Sequence, residues 1–267
     1  MKQKRFTIWV VILVFGSVGL LMASTVKKEF KKRFDFAPGG EVSVKNVNGN
    51  ICLEPWDEES VEVYAEIEVK AGSRREAEAF MEKVEIVIDH GRGRLSVETD
   101  YPKSRGGDSI WDAIFRGGRK PQVKVDFWIK MPSRTNLIVK SVNGRVEARD
   151  VEGKAELSTT NGQIQAEGMR GSVDAHTTNG GIRVELTEFD SRGQMSFKTT
   201  NGSITVTLPE DVKADIEVST VNGGVSTDFP VEVRGKFIGK RIRGTINGGG
   251  GLIDLHTVNG SIRIYER

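Results

Sequence analysis

Residues 143–209 can be written in nines: NGRVEARDV (143–151), EGKAELSTT (152–160), NGQIQAEGM (161–169), RGSVDAHTT (170–178) and NGGIRVELT (179–187), then RGQMSFKTT (192–200) and NGSITVTLP (201–209). Glycine is second in every unit, from Gly144 through Gly153, Gly162, Gly171, Gly180 and Gly193 to Gly202, and alternate units open on Asn-Gly. A fixed period carrying alternating apolar positions marks a repeat architecture. Aligned on Asn48, Asn143, Asn161, Asn179, Asn201, Asn222 and Asn259, the copies agree at three further places. Six before Asn stand Val42, Leu137, Ala155, Val173, Met195, Ile216 and Ile253; four before stand Val44, Val139, Leu157, Ala175, Phe197, Val218 and Leu255. Three after stand Ile51, Val146, Ile164, Ile182, Ile204, Val225 and Ile262, so these are inward positions. Two before Asn is usually threonine (Thr159, Thr177, Thr199, Thr220, Thr257), which predicts a stacked hydroxyl ladder.

Two all-β architectures satisfy this pattern. Asn-Gly between alternating strands is a strong two-residue hairpin signal, because both residues accept positive φ, and an antiparallel meander is therefore the alternative. A β-solenoid or β-roll with two half-coils per rung better explains why unit length recurs, since like must stack on like. The solenoid is the favoured expectation, with the seven asparagines as its structural turns. Around Asn247 the phase fails, with Arg241 and Arg243 at inward positions, and residues 240–251 read as a glycine-rich crossing. The last copy, 252–267, is expected to cap the stack.

Outward from the repeats, residues 34–135 form a β-rich N-terminal region, expected to be an antiparallel sheet with one short helix. Val61, Val63, Ala65, Ile67 and Val69 alternate as a strand, as do Val123, Val125, Phe127, Ile129 and Met131. Ala77, Phe80, Met81 and Val84 fall at helical spacing, predicting a helix over 73–83 with Ser73 as N-cap. Ile86 and Ile88, then Leu95 and Val97, predict a short strand pair about a glycine-rich turn. In the loop 101–122, Ile110, Trp111, Ile114 and Phe115 share one helical face. Two roles are open to it: a flap packed on the sheet, or a tethered contact for a partner or the membrane surface.

At the N-terminus, Lys2, Lys4 and Arg5 precede an apolar run over 6–23, long enough at about 27 Å to cross a hydrocarbon core. Residues 1–26 are expected to be a signal anchor and 27–33, with Lys27, Lys28, Lys31, Lys32 and Arg33, a basic juxtamembrane linker. The alternatives are a cleaved signal peptide, giving a secreted or periplasmic body, and a cytoplasmic-facing body, which the bases after the run would favour.

Of 267 residues, 39 are Lys or Arg and 37 Asp or Glu. Eight of those bases lie in residues 1–33, so the body is net acidic, the opposite of a nucleic-acid-binding footprint. The one cysteine, Cys52, excludes an intrachain disulfide and a multi-cysteine metal site. His176 and His256 each sit in Asp-x-His-Thr with Asp174 and Asp254, but elsewhere their position holds Lys45, Lys140, Ser158, Lys198 and Ser219, which marks an exposed stripe. The outward row of Glu147, Gln165, Arg183, Thr205 and Arg263 has no recurring acid for glycosidic chemistry. Calcium-roll nonapeptides, phosphate loops, zinc spacings and nucleophile elbows are missing from the sequence, so no catalytic residue, cofactor or metal is expected.

The run 123–164, VKVDFWIKMPSRTNLIVKSVNGRVEARDVEGKAELSTTNGQI, resembles the bacterial putative-adhesin family, as do PWDEESVEV (55–63) and GGGGLIDLHTVNGSIRIYE (248–266). The likeness spans 34–267 and implies a β-helical or β-roll body, often attached to the cell envelope, with no catalytic residues to carry over. The SIWDAIF segment (109–115) departs from the family. The expectation is a non-enzymatic, membrane-anchored envelope protein presenting a β-repeat surface. Its partners would be the membrane through the N-terminal segment, an envelope protein or glycan, or a second copy. A self-assembling scaffold is the first alternative and a polysaccharide-acting β-helix enzyme the second.

Overall fold

A single Asn-Gly repeat buries nothing by itself, so its inward residues find cover only when repeats stack. The computed structural model, which describes residues 24–91, 93–101, 121–189, 192–233 and 241–267, shows how they do so. The strands are β1 (Ser24–Asp35), β2 (Glu41–Lys45), β3 (Ile51–Pro55) and β4 (Ser60–Ala71), followed by helix α1 (Arg74–Met81). Next come β5 (Glu85–Gly91), β6 (Arg94–Asp100), β7 (Gln122–Met131), β8 (Asn136–Lys140) and β9 (Val146–Arg149). The central repeats supply β10 (Ala155–Asn161), β11 (Ile164–Arg170), β12 (Val173–Asn179), β13 (Ile182–Glu188), β14 (Gln194–Asn201) and β15 (Ile204–Leu208). The chain closes with β16 (Ala214–Asn222), β17 (Val225–Thr227), β18 (Glu232–Val233), β19 (Arg241–Ile246), β20 (Gly251–Asn259) and β21 (Ile262–Glu266).

These form two large sheets. The first, sheet A, has the order β1-β4-β7-β3-β9-β11-β13-β15-β21-β17, and the second, sheet B, β18-β19-β16-β20-β14-β12-β10-β8-β2-β6-β5. The strands on either side of an Asn-Gly corner lie in different sheets and do not pair with each other, which excludes the meander. Instead β10 pairs in parallel with β8 and β12, and β11 with β9 and β13, each in register with its own equivalent. Each rung therefore gives one strand to each sheet, and the inward residues of both meet in a shared core. Val42, Val139, Leu157, Ala175, Phe197 and Leu255 are all buried there with the isoleucines that follow the corners. Of the aligned inward set only Val225, on the terminal β17, is half-buried.

Rung order departs from chain order at both ends. The first repeat, β2/β3, pairs on one side with β8/β9 and on the other with β6/β7, so it is interior. The last repeat, β20/β21, expected as a cap, lies between β14/β15 and β16/β17. The reason is strand length. β17 spans three residues and can support no further sheet A strand, whereas β20 and β21 offer full edges on both sides. Residues 241–246, expected as part of a crossing, are β19, antiparallel to β16. Its register sets Ile246 opposite the buried Ala214 and Arg243 opposite the outward Glu217, so Ile246 is buried and Arg243, which the repeat alignment had placed inward, is exposed.

The region 34–135 shares both sheets with the repeats, since β2 pairs with β8 and β3 with β9 across residue 135. Its antiparallel part is β1-β4-β7 in sheet A and β5-β6 in sheet B. Helix α1 starts at Ser73, whose hydroxyl accepts from the Glu76 N–H at 3.2 Å, and packs Ala77 and Met81 into the N-terminal end of the core. Residues 27–33, expected as a linker, lie inside β1. That strand turns Phe30 inward, and Lys28 and Lys32 half-bury beside it because their aliphatic stems cover apolar surface. Its outward charges pair with β4 and the bend before it: Lys27 with Glu66, Lys31 with Glu62, and Arg33 with Glu62 and Glu58. Charges along an exposed edge deter pairing with another chain. Residues 1–23 lie outside the described part, and among the described residues no helix is long and apolar enough to cross a membrane.

Candidate functional site: the corner spine and the two outer faces

The corners stack into a spine of hydrogen-bonded asparagine amides. Asn143 donates through Nδ2 to Asn48 Oδ1 at 2.7 Å, Asn161 to Asn143 at 2.8 Å, Asn179 to Asn161 at 2.8 Å and Asn201 to Asn179 at 2.8 Å. Asn259 then donates to Asn201 at 2.7 Å and Asn222 to Asn259 at 2.8 Å, following the interleaved rung order. Amide ladders of this kind require identical residues in register, as in other stacked-strand assemblies. The expected threonine ladder takes another form. Each hydroxyl donates to the corner glycine carbonyl of the adjacent rung, as Thr177 does to Gly162 at 3.0 Å and Thr199 to Gly180 at 2.9 Å. The corner tolerates no side chain, for a Cβ on Gly162 would stand 1.9 Å from the Gly144 carbonyl oxygen.

On the outer face of sheet B, His176, Lys198 and His256 are direct cross-strand neighbours on β12, β14 and β20. With Ser158, Thr178, Thr200 and Val258 they line an open depression of about 250 Å³. The acids beside them are already engaged: Asp254 Oδ2 lies 2.9 Å from Lys198 Nζ, and Asp174 Oδ1 accepts from the Ser196 N–H at 3.0 Å. Among the described residues neither histidine is hydrogen-bonded to its Asp-x-His aspartate, and no cluster of three or more His, Cys, Asp or Glu could hold a metal. The row can hydrogen-bond a ligand lying along the face. It lacks the oriented base that nucleophilic catalysis needs.

On the outer face of sheet A, Trp128 of β7 packs against Tyr64 of β4, ring centroids 5.4 Å apart, with Cys52 of β3 on its other side. Burial first, then the nearby Glu147 carboxylate, pushes the Cys52 thiol up, away from the reactive thiolate. Burial would raise Glu62, but its hydrogen bonds to Lys31 and Arg33 outweigh that and hold it below the ordinary value.

Ile110, Trp111, Ile114 and Phe115 lie outside the described residues. The point from which their loop departs is firmly built. Tyr101 is buried and donates to Asn46 Oδ1 at 3.0 Å while accepting from the Asn48 N–H at 3.3 Å, and its hydroxyl is pushed up to about 12, chiefly by burial. Asn46 Nδ2 donates to the Val125 carbonyl at 2.7 Å, locking the first corner to β7. Sequence reasoning missed this network, although Asn46, Thr99 and Tyr101 are polar residues at the ends of apolar strands. It also passed over Trp128, whose outward phase was implied by the buried Phe127 and Ile129.

The family model described as Toastrack DUF4097 matches residues 27–265. Among solved structures, the chain is similar to a putative cell adhesion protein from Clostridium sporogenes at 13% identity, covering 90% of this chain and 100% of that one, with a TM-score of 0.45. It is also similar to a putative adhesin from Bacteroides fragilis (9% identity, 90% and 97% covered, TM-score 0.39) and a putative lipid binding protein from Parabacteroides distasonis (10%, 90% and 96%, 0.34). No curated protein matches the chain.

Proposed function

The chain belongs to the Toastrack DUF4097 family, and we propose that it is a non-enzymatic protein of the bacterial cell envelope whose flat sheet faces serve adhesion or partner binding. The observation that carries this reading is the repeat body itself. Stacked rungs hold rows of outward polar side chains at a spacing of about 4.8 Å, a geometry suited to extended ligands. Against an enzyme stands the state of the candidate groups: the acids beside His176 and His256 are tied to Lys198 and to a backbone N–H. Against an open-ended scaffold stand the antiparallel strands at both ends, with a charge-covered edge at β1.

In this reading the apolar run 6–23 is the anchor. It leads into β1 at Ser24 without a spacer, which holds the N-terminal end of the body close to the bilayer. A reporter fused after Arg267 tests the location: activity outside the cytoplasm, in the membrane fraction, is expected, and activity confined to the cytoplasm would overturn the reading.

A further inference from the structure

Trp128 is 44% exposed although β7 is an inner strand of its sheet, flanked by β4 and β3. A cross-strand aromatic pair contributes to sheet stability. That contribution is met by the contact with Tyr64 and does not require the outer side of the indole to stay open. The planes of the two rings meet at 43°, forming a shallow aromatic V on an otherwise polar face.

The surroundings select the ligand. Each of these cations around the pair has an opposite partner, Lys31 with Glu62, Lys130 with Glu54, Lys124 with Asp126 and Lys27 with Glu66, and the Glu29 carboxylate also lies beside Tyr64. An anionic polymer draws its affinity from unneutralised cations, and this rim offers none. A hydrocarbon ligand would need a broad apolar surround, whereas here carboxylates and ammoniums come up to the ring edges. A neutral sugar fits both. The C–H face of a pyranose packs on the electron-rich face of indole or phenol, while its hydroxyls donate to carboxylates and accept from ammoniums around the rim.

We propose that Trp128 and Tyr64 form a binding subsite for a neutral glycan chain on the outer face of sheet A. The register continues the subsite across strands, from Trp128 to Cys52 and then to Glu147 and Gln165, so a linear chain can follow the row past the aromatic pair. The inference rests on the reading of the protein as an envelope binding surface and gives that surface a site and a ligand class.

The test uses the full-length chain in a detergent without a sugar headgroup. It is titrated with cellohexaose, with the hexamer of N-acetylglucosamine, and with an oligogalacturonate of matched length as the acidic control. Binding is read by calorimetry and by tryptophan fluorescence. At least one neutral hexamer is expected to bind, the acidic oligomer more weakly. Trp128→Ala should weaken binding at least about tenfold, a loss in the range of aromatic hot spots, while Trp128→Phe retains part of it. Tyr265→Ser removes an exposed aromatic residue at the far end of the same sheet and should leave binding unchanged. Absence of binding by either neutral hexamer, equal binding by Trp128→Ala, or preference for the acidic oligomer would each overturn the proposal. None of these results would bear on envelope location, which the reporter fusion decides separately.

Discussion

Substituting Gly162 by alanine tests the close approach of the rungs directly. The residue lies outside the left-handed region, so alanine meets no backbone penalty there and the whole effect is steric. Its Cβ would stand 1.9 Å from the Gly144 oxygen and 2.6 Å from its carbon. That is about 1.5 Å short of ordinary contact, and the obstacle is backbone that cannot rotate away. Relief requires the two rungs to part at the corner. The bonds placed at risk join those two rungs: Gly144 N–H to the Asn161 carbonyl, the Thr159 hydroxyl to the Gly144 carbonyl, and the Asn161–Asn143 amide bond. At a net value of about 1 kcal/mol each, with some relaxation, the cost is about 2–4 kcal/mol. For a chain of this size that lowers the melting temperature by roughly 5–15 °C. Gly224→Ala is the control, since a Cβ there meets nothing within 4 Å and φ is again not left-handed. Thermal unfolding followed by circular dichroism compares the two. Equal melting temperatures would refute the argument that corner glycines are required by rung spacing.

Further outcomes follow from the same structure. Asn179→Ala breaks two ladder bonds and Asn222→Ala, at the ladder's end, one, so the first should destabilise about twice as much as the second, roughly 1–2 kcal/mol, by denaturant titration. Tyr101 has a folded-state pKa of about 12, above the unfolded value of about 10. Its contribution is therefore complete below pH 10 and lost as pH rises through 12; alkaline ultraviolet titration should show a late ionisation step, and Tyr101→Phe should remove it. Glu156 is lowered, mainly by its hydrogen bond to Lys154, so its contribution is present above about pH 4.3 and lost as pH falls through the lowered value. Lys154→Met should flatten that part of the acid-unfolding curve. Deleting residues 251–267 removes an interior rung, and loss of cooperative folding is expected in place of fraying at one end, as hydrogen exchange would reveal.

The inward positions and the corners were legible because the same residue types recur at the same places and face one shared core. Helix α1 was legible from the helical spacing of Ala77, Phe80, Met81 and Val84, with Ser73 marking its start. β1 was not, because Lys28 and Lys32 occupy phases where an apolar residue would have signalled a strand, leaving Val26, Phe30 and Phe34 too far apart to show alternation. Rung order was not legible at all. A repeat alignment records which residues are equivalent, whereas neighbours are decided by edge length, as the three-residue β17 shows. The candidate sites lay between these cases. The His176 and His256 stripe was visible, but the neighbour that separates them, Lys198, depends on β20 docking beside β14. The Trp128–Tyr64 pair joins residues of two insert strands that no periodicity links.

The first and last repeats of the chain are both enclosed by other strands, so neither stands at an end of the described stack. Its free variable is the middle, where rungs such as β10/β11 and β12/β13 have like neighbours on both sides. One further 18-residue unit inserted there, matching the interval from Asn161 to Asn179, would lengthen the body by about 4.8 Å and leave both closures as they are. The scaffold extends as a dining table does, by a leaf at the centre, and its length could be changed without remaking either end.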